Sequence, residues 1–162
     1  MATLRIIPVT LFVAILAPAQ QASPPPPDHP EVYDTYFRSL SELSGQIRAK
    51  EAVGRPSTAR NQAAASFAGL RQSDLARARD IAEKVVRDLD DNSKARQDAR
   101  ARNPRLTPNE EKRFTANRQF LLSAGIRELQ KLVGPAQWPA VHAHINSTHR
   151  AKLRMVSPSP RK

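Results

Sequence analysis

The sequence predicts an all-α protein of four or five helices, two of them long, folded back as helical hairpins or a loose bundle. Two series carry this expectation: Tyr33, Tyr36, Phe37, Leu40, Leu43 and Ile47, then Leu75, Ala78, Ala82, Val85 and Leu89, each recurring at three- and four-residue steps. Most helical windows are also bracketed by cap residues and Gly or Pro stops. No window shows the sustained alternation of apolar β-branched and polar residues that a half-buried strand requires.

Residues 1–22 read as a signal peptide. Arg5 precedes the apolar run Ile6 to Ala17, and small residues follow at Ala17 and Ala19. Cleavage is expected after Ala19, because a cut after Ala17 would leave Pro18 at the first mature position. The run is shorter than the roughly 20 apolar residues that span a bilayer, so no transmembrane segment is expected after cleavage. Residues 20–27 form a proline-rich spacer through Pro24-Pro25-Pro26-Pro27. Residues 28–154 form the helical domain and residues 155–162 a disordered basic tail.

Asp28, Pro30 and Glu31 predict a helix start by capping and by proline in the first turn, and this helix runs to about Lys50. Gly54 and Pro56 interrupt it, Ser57 caps a shorter alanine-rich helix through Phe67, and Gly69 ends that one. Ser73 is the expected cap of the next helix, whose stripe is widened by Ile81 and Val86 and packs on the first helix. From Asp90 to Asn103 the apolar face disappears, so residues 90–105 read either as a basic linker or as a helix extension into solvent.

Leu106-Thr107-Pro108-Asn109-Glu110 is the clearest local signal: a threonine cap, proline at the first helical position, glutamate at the third, and Leu106 placed for a hydrophobic staple. The helix it opens continues through Phe114, Phe120, Leu121, Ala124, Leu129, Leu132 and Val133, with both phenylalanines expected in the core. Gly134-Pro135 stops it. A last helix starts near Ala136 and uses Trp138, Val141 and Ile145 as its apolar edge.

Composition narrows the function. Hydrophobic residues make up 40% of the chain and aromatics only 5%, so the core is thin. The absence of cysteine excludes disulfides, thiolate metal sites, a cysteine nucleophile and a lipidated N-terminal cysteine. The formal charge of +11 falls by only one with the signal peptide, and it biases an exported protein toward anionic lipid, envelope polysaccharide or acidic proteins; export argues against nucleic acid. Two basic clusters are the candidate binding residues: Arg96, Arg100, Arg102 and Arg105 in one, Arg150, Lys152 and Arg154 in the other.

Five glycines supply no phosphate loop, dinucleotide fingerprint or nucleophile elbow. The acidic run at Asp88 has Ser93 where a calcium loop needs glycine, and Ala99 where it needs glutamate. His142 and His144 are two apart and so point to divergent faces of a helix, unlike the four-residue spacing that grips zinc. His149 and the others read as ordinary, partly exposed histidines. Asn146-Ser147-Thr148 matches a glycosylation pattern but lies within a predicted helix. No catalytic residue, cofactor site or metal site is therefore expected, and the chain reads as non-enzymatic.

Leu106-Thr107-Pro108-Asn109-Glu110 resembles the Leu-Thr-x-x-Gln helix starts of small periplasmic helical proteins of the Spy and CpxP type, with Glu110 in place of glutamine. A second candidate, Leu70-Arg71-Gln72-Ser73-Asp74, keeps only the leucine. Tyr33 to Leu40 and the segment from Leu132 to Val141 resemble a group of small exported all-helical proteins of soil bacteria that have no assigned function. The first resemblance implies a chaperone-like or stress-sensor module of the periplasm; the second supplies no activity. The expectation is a periplasmic or secreted binding protein for unfolded or acidic envelope proteins, and the alternative is a structural envelope protein tethered by its basic segments to anionic lipid or polysaccharide. The thin core is also compatible with a homodimer, helix-exchanged or side by side.

Overall fold

The computed structural model describes residues 30–54 and 58–156, and the side chains among them except those of residues 51 and 151–156. The signal peptide, the spacer, the caps at Asp28 and Ser57, and the tail from Ser157 lie outside the described residues. Five helices follow one another: α1 Pro30–Glu51, α2 Thr58–Ala68, α3 Gln72–Arg102, α4 Pro108–Val133 and α5 Trp138–Val156. Among the described residues there is no strand, and the architecture is an all-α bundle. No described helix is long and apolar enough to cross a membrane.

Local chemistry sets the boundaries. Thr107 accepts a hydrogen bond from the Glu110 amide (3.3 Å) while the Glu110 carboxylate accepts one from the Thr107 amide (2.8 Å), completing the expected capping box. Gly69, at φ 68°, closes α2 in a Schellman turn in which the Leu70 amide bonds the Ala65 carbonyl (2.9 Å) and the Gly69 amide bonds that of Ser66 (3.2 Å). The start of α3 departs from expectation. Arg71 occupies the cap without a side-chain hydrogen bond, and the Ser73 hydroxyl is turned to Asp74 instead. Residues 90–102 belong to α3, so the extension alternative holds for them. α5 reaches Val156, two residues into the stretch assigned to the tail.

α3 and α4 form an antiparallel hairpin, with Asn92 donating to the Phe114 carbonyl near its middle and Val85 facing Gly125 further down. α1 lies across both, α2 packs on α3 and α1, and α5 docks on α1. The predicted α1 stripe is buried except for Leu43, which packs at the core's edge, and all five α3 stripe residues are buried. Fully burying one such Leu, Val or Phe stabilises by about 1.5–3 kcal/mol, so these two stripes dominate the apolar core.

Polar ties set the relative position of the three long helices. Asp34 accepts from Arg38 of α1 (2.9 Å) and from Arg118 of α4 (2.6 Å), and Arg38 reaches on to Asp90 of α3 (2.9 Å). Lower down, the fully buried Ser44 donates to Glu83, which also accepts from Arg48 (2.8 Å). Burial pushes the Glu83 carboxyl up, but the hydrogen bonds from Ser44 and Arg48 outweigh it and hold the pKa below the usual value.

His142 and His144 are half-buried as expected, and His149 corrects the expectation. His149 is 0% exposed and packs edge-on between Tyr36 and Phe67. His144 donates to the Phe67 carbonyl of α2 (2.8 Å), and its ring lies where a Cβ on Gly69 would stand. Asn146 Nδ2 donates both to the His142 carbonyl (3.0 Å) and to His142 Nε2 (3.1 Å). Nε2 therefore accepts, which leaves Nδ1–H to donate to the Tyr33 hydroxyl. Trp138 stacks on Tyr33 with ring centroids 6.5 Å apart, so the aromatic and imidazole groups of α5 clamp it onto α1 and α2.

Candidate functional site

Beyond Leu89 on α3 and before Leu122 on α4 no residue is buried, so the outer half of the hairpin is an arm held by its own polar seam. That seam is Glu111, which accepts hydrogen bonds from both Arg96 and Arg100 (2.6 Å from Arg100 Nη2), together with Asn92, which joins Asn117 (2.8 Å) and the Phe114 carbonyl (3.2 Å). The Arg100 guanidinium, followed by Arg96, holds the Glu111 carboxyl below its ordinary range.

One face of this arm carries an open groove of about 950 Å³, lined among the described residues only by α3 and α4. Two pairs of residues place it. Asp90 bonds α1 while Asp88 lines the groove; Arg118 bonds α1 while Phe120 lines the groove. At 3.6 residues per turn, residues two apart point to nearly opposite sides of a helix, so the groove faces away from α1. Ala95 and Ala99 leave its α3 wall shallow, and Phe114, Phe120 and Leu121 supply apolar surface from α4. Phe120 is 63% exposed, which corrects its assignment to the core; Phe114 is half-buried.

The groove itself is acidic, with Asp88, Asp91 and Glu110 lining it against Arg113 alone. Asp88 is bonded by Lys84 (2.9 Å) and Glu110 belongs to the capping box, which depresses its pKa through the Thr107 amide first and the Thr107 hydroxyl second. Asp91 at one end and Arg113 toward the other remain as opposite charges with no ion pair among the described residues. The surplus positive charge sits at the arm's tip.

Of the four arginines predicted there, Arg96 and Arg100 are engaged with Glu111 and hold the arm together. Arg102 bonds the carbonyl of its own Asp98 (3.3 Å), and Arg105 stands exposed in the turn between the helices. The structure thus gathers the four on one tip but leaves only Arg102 and Arg105 clear of the seam. Arg150 is exposed on α5, the helix that packs on α1, and Lys152 and Arg154 follow on the same helix with side chains outside those described. The two basic clusters lie on different elements.

Among the described residues no group of three or more His, Asp or Glu is placed to hold a metal ion. Sequence reasoning missed Phe120 as a surface residue: it lies about 120° around α4 from Phe114, and the two line one groove rather than the core. Glu111 was missed because its partners come from another helix. Comparison with protein-family models, with curated proteins and with solved structures finds no match for this chain.

Proposed function

We propose that the chain is an exported, non-enzymatic helical binding protein of the chaperone-like or stress-sensor kind, active in the periplasm or after secretion, and that it holds unfolded or acidic envelope proteins on the open face of the α3–α4 arm. The observation that carries this reading is the exposed Phe120 beside Phe114 and Leu121 on a face that no other described helix lines. An unfolded segment offers apolar side chains to that floor, and its carboxylates meet Arg102 and Arg105 at the tip. Such contacts are made early and are screened by salt, so capture weakens as ionic strength rises.

The test is suppression of aggregation of a chemically unfolded client by the purified protein at low and moderate salt. Suppression at equimolar protein, reduced by salt and by Arg102→Gln with Arg105→Gln, is expected. Those two are the informative arginines, because neutralising Arg96 or Arg100 also releases Glu111. No suppression at either salt rejects the reading and favours the alternative, a structural envelope protein tethered to anionic lipid or polysaccharide. The run Arg150, Lys152 and Arg154 along α5 supports that alternative, and binding to anionic vesicles without a client is its signature. Light scattering on the same sample reads whether a second copy, as a homodimer, occupies the groove instead.

A further inference from the structure

α1 and α2 run antiparallel and leave a slot of about 360 Å³ between them, on elements that take no part in lining the α3–α4 groove. The cause lies in the sequence of α2. Its facing stripe places Ala63 and Ala64 opposite Leu43 and Ile47 of α1, and two methyl groups do not fill space that larger side chains would close to native density.

The slot is graded along its length. Phe67, 41% exposed, stands at one end, and Lys50 and Arg60 stand together at the other. Among the described residues no carboxylate lines it and neither cation forms an ion pair. Nη1 of Arg60 is buried and has no hydrogen-bond partner. Arg60 as a whole is only half-buried and lines the slot, so an anion there meets its guanidinium with charge-assisted bonds.

From Arg60 to Phe67 is seven residues of helix, a span of about 10 Å. We infer that this slot binds a free medium-chain fatty carboxylate of about eight to twelve carbons, with the alkyl chain between the two helices and the carboxylate on Arg60 and Lys50. Charge complementarity selects the anion, and walls made apolar by Leu43, Ile47, Ala63, Ala64 and Phe67 select an unbranched chain over a peptide, whose backbone would meet Gln46 alone along them. The inference is independent of client binding, because the slot and the groove share no residue.

Titration calorimetry of the purified protein with sodium hexanoate through tetradecanoate, below micelle formation, and with decanol tests it. Saturable one-site binding is expected, with each added methylene tightening it about fourfold until the slot is filled and no gain thereafter. Decanol should bind at least tenfold more weakly than decanoate. Arg60→Gln should remove that preference, and Ala63→Leu should weaken decanoate binding at least tenfold with helical circular dichroism unchanged. Equal affinity for decanol and decanoate, or an absence of saturable binding, overturns the proposal. Should Ala63→Leu lose its helical signal, the head-group comparison in Arg60→Gln decides alone: a retained preference for decanoate overturns the assignment.

Discussion

Gly125 of α4 lies against Val85 of α3 so closely that a Cβ on the glycine would overlap the valine Cγ2, and it would stand 3.3 Å from the Phe37 ring of α1. The three long helices meet at this point, and the absent side chain sets how near α4 approaches. Gly125→Ala gains about 1 kcal/mol in helix propensity. Overpacking costs about 1–3 kcal/mol and outweighs it. Urea unfolding should show a net loss of about 1 kcal/mol that Val85→Ala, which makes room, partly recovers in the double variant. A Gly125→Ala protein as stable as the parent would mean that the helices yield without cost.

Glu111→Gln should loosen the arm without unfolding the body, because the arm contributes no buried residue. Hydrogen exchange should accelerate between residues 94 and 113 while the midpoint of global urea unfolding stays in place. Acid reproduces the effect. The Glu111 pKa is lowered from 4.5 in the fold, so its contribution is complete above 4.5 and is lost as the pH falls through the lowered value. Protection of the arm that stays unchanged from pH 6 to pH 3 would contradict the tie.

The two tyrosines of the chain are both buried, and neither should ionise at its ordinary pH. Burial pushes Tyr33 up to about 12, and burial with the neighbouring Tyr33 charge pushes Tyr36 higher still. Their contribution to stability is complete below the unfolded value of 10.0 and is lost as the pH rises through about 12. Ultraviolet titration should therefore show no tyrosinate transition at pH 10 in the folded protein and two in denaturant.

Phe120→Ser should leave stability within about 0.5 kcal/mol, as for other exposed positions. The same variant should reduce suppression of client aggregation several-fold. A destabilised Phe120→Ser protein would place the ring in a contact that its 63% exposure denies.

Helix identity, order and most boundaries were legible because they are local. Thr107 and Glu110 cap one helix from positions three apart, Gly69 and Gly134 end two others at positive φ, and the stripes of α1 and α3 repeat at helical steps. Apart from Leu43 the core lists from these stripes agree with the buried set, since one face of a helix is defined by spacing alone. The α3 extension was left open because residues 90–102 have no apolar face; their support is Glu111, nine residues beyond the end of α3.

The site was legible only in part. Its charge was visible in composition, but the division of labour among the arginines was not, because an arginine in a tie and an arginine in solvent look alike in a sequence. His149, surrounded by Tyr36 and Phe67, was read as partly exposed for the same reason: its neighbours belong to α1 and α2.

The sequence by itself determined an all-α chain of four or five helices, the capping box at Thr107 and Glu110 and the buried stripes of α1 and α3, through interactions that span a few residues. Tertiary structure decided what those faces meet: that Gly125 admits Val85, that Phe120 turns away from α1, that Arg96 and Arg100 converge on Glu111, and that a slot remains between α1 and α2. The physical reason is one of range. Capping and periodicity act within a helix, whereas packing and pairing depend on which helices the fold brings side by side.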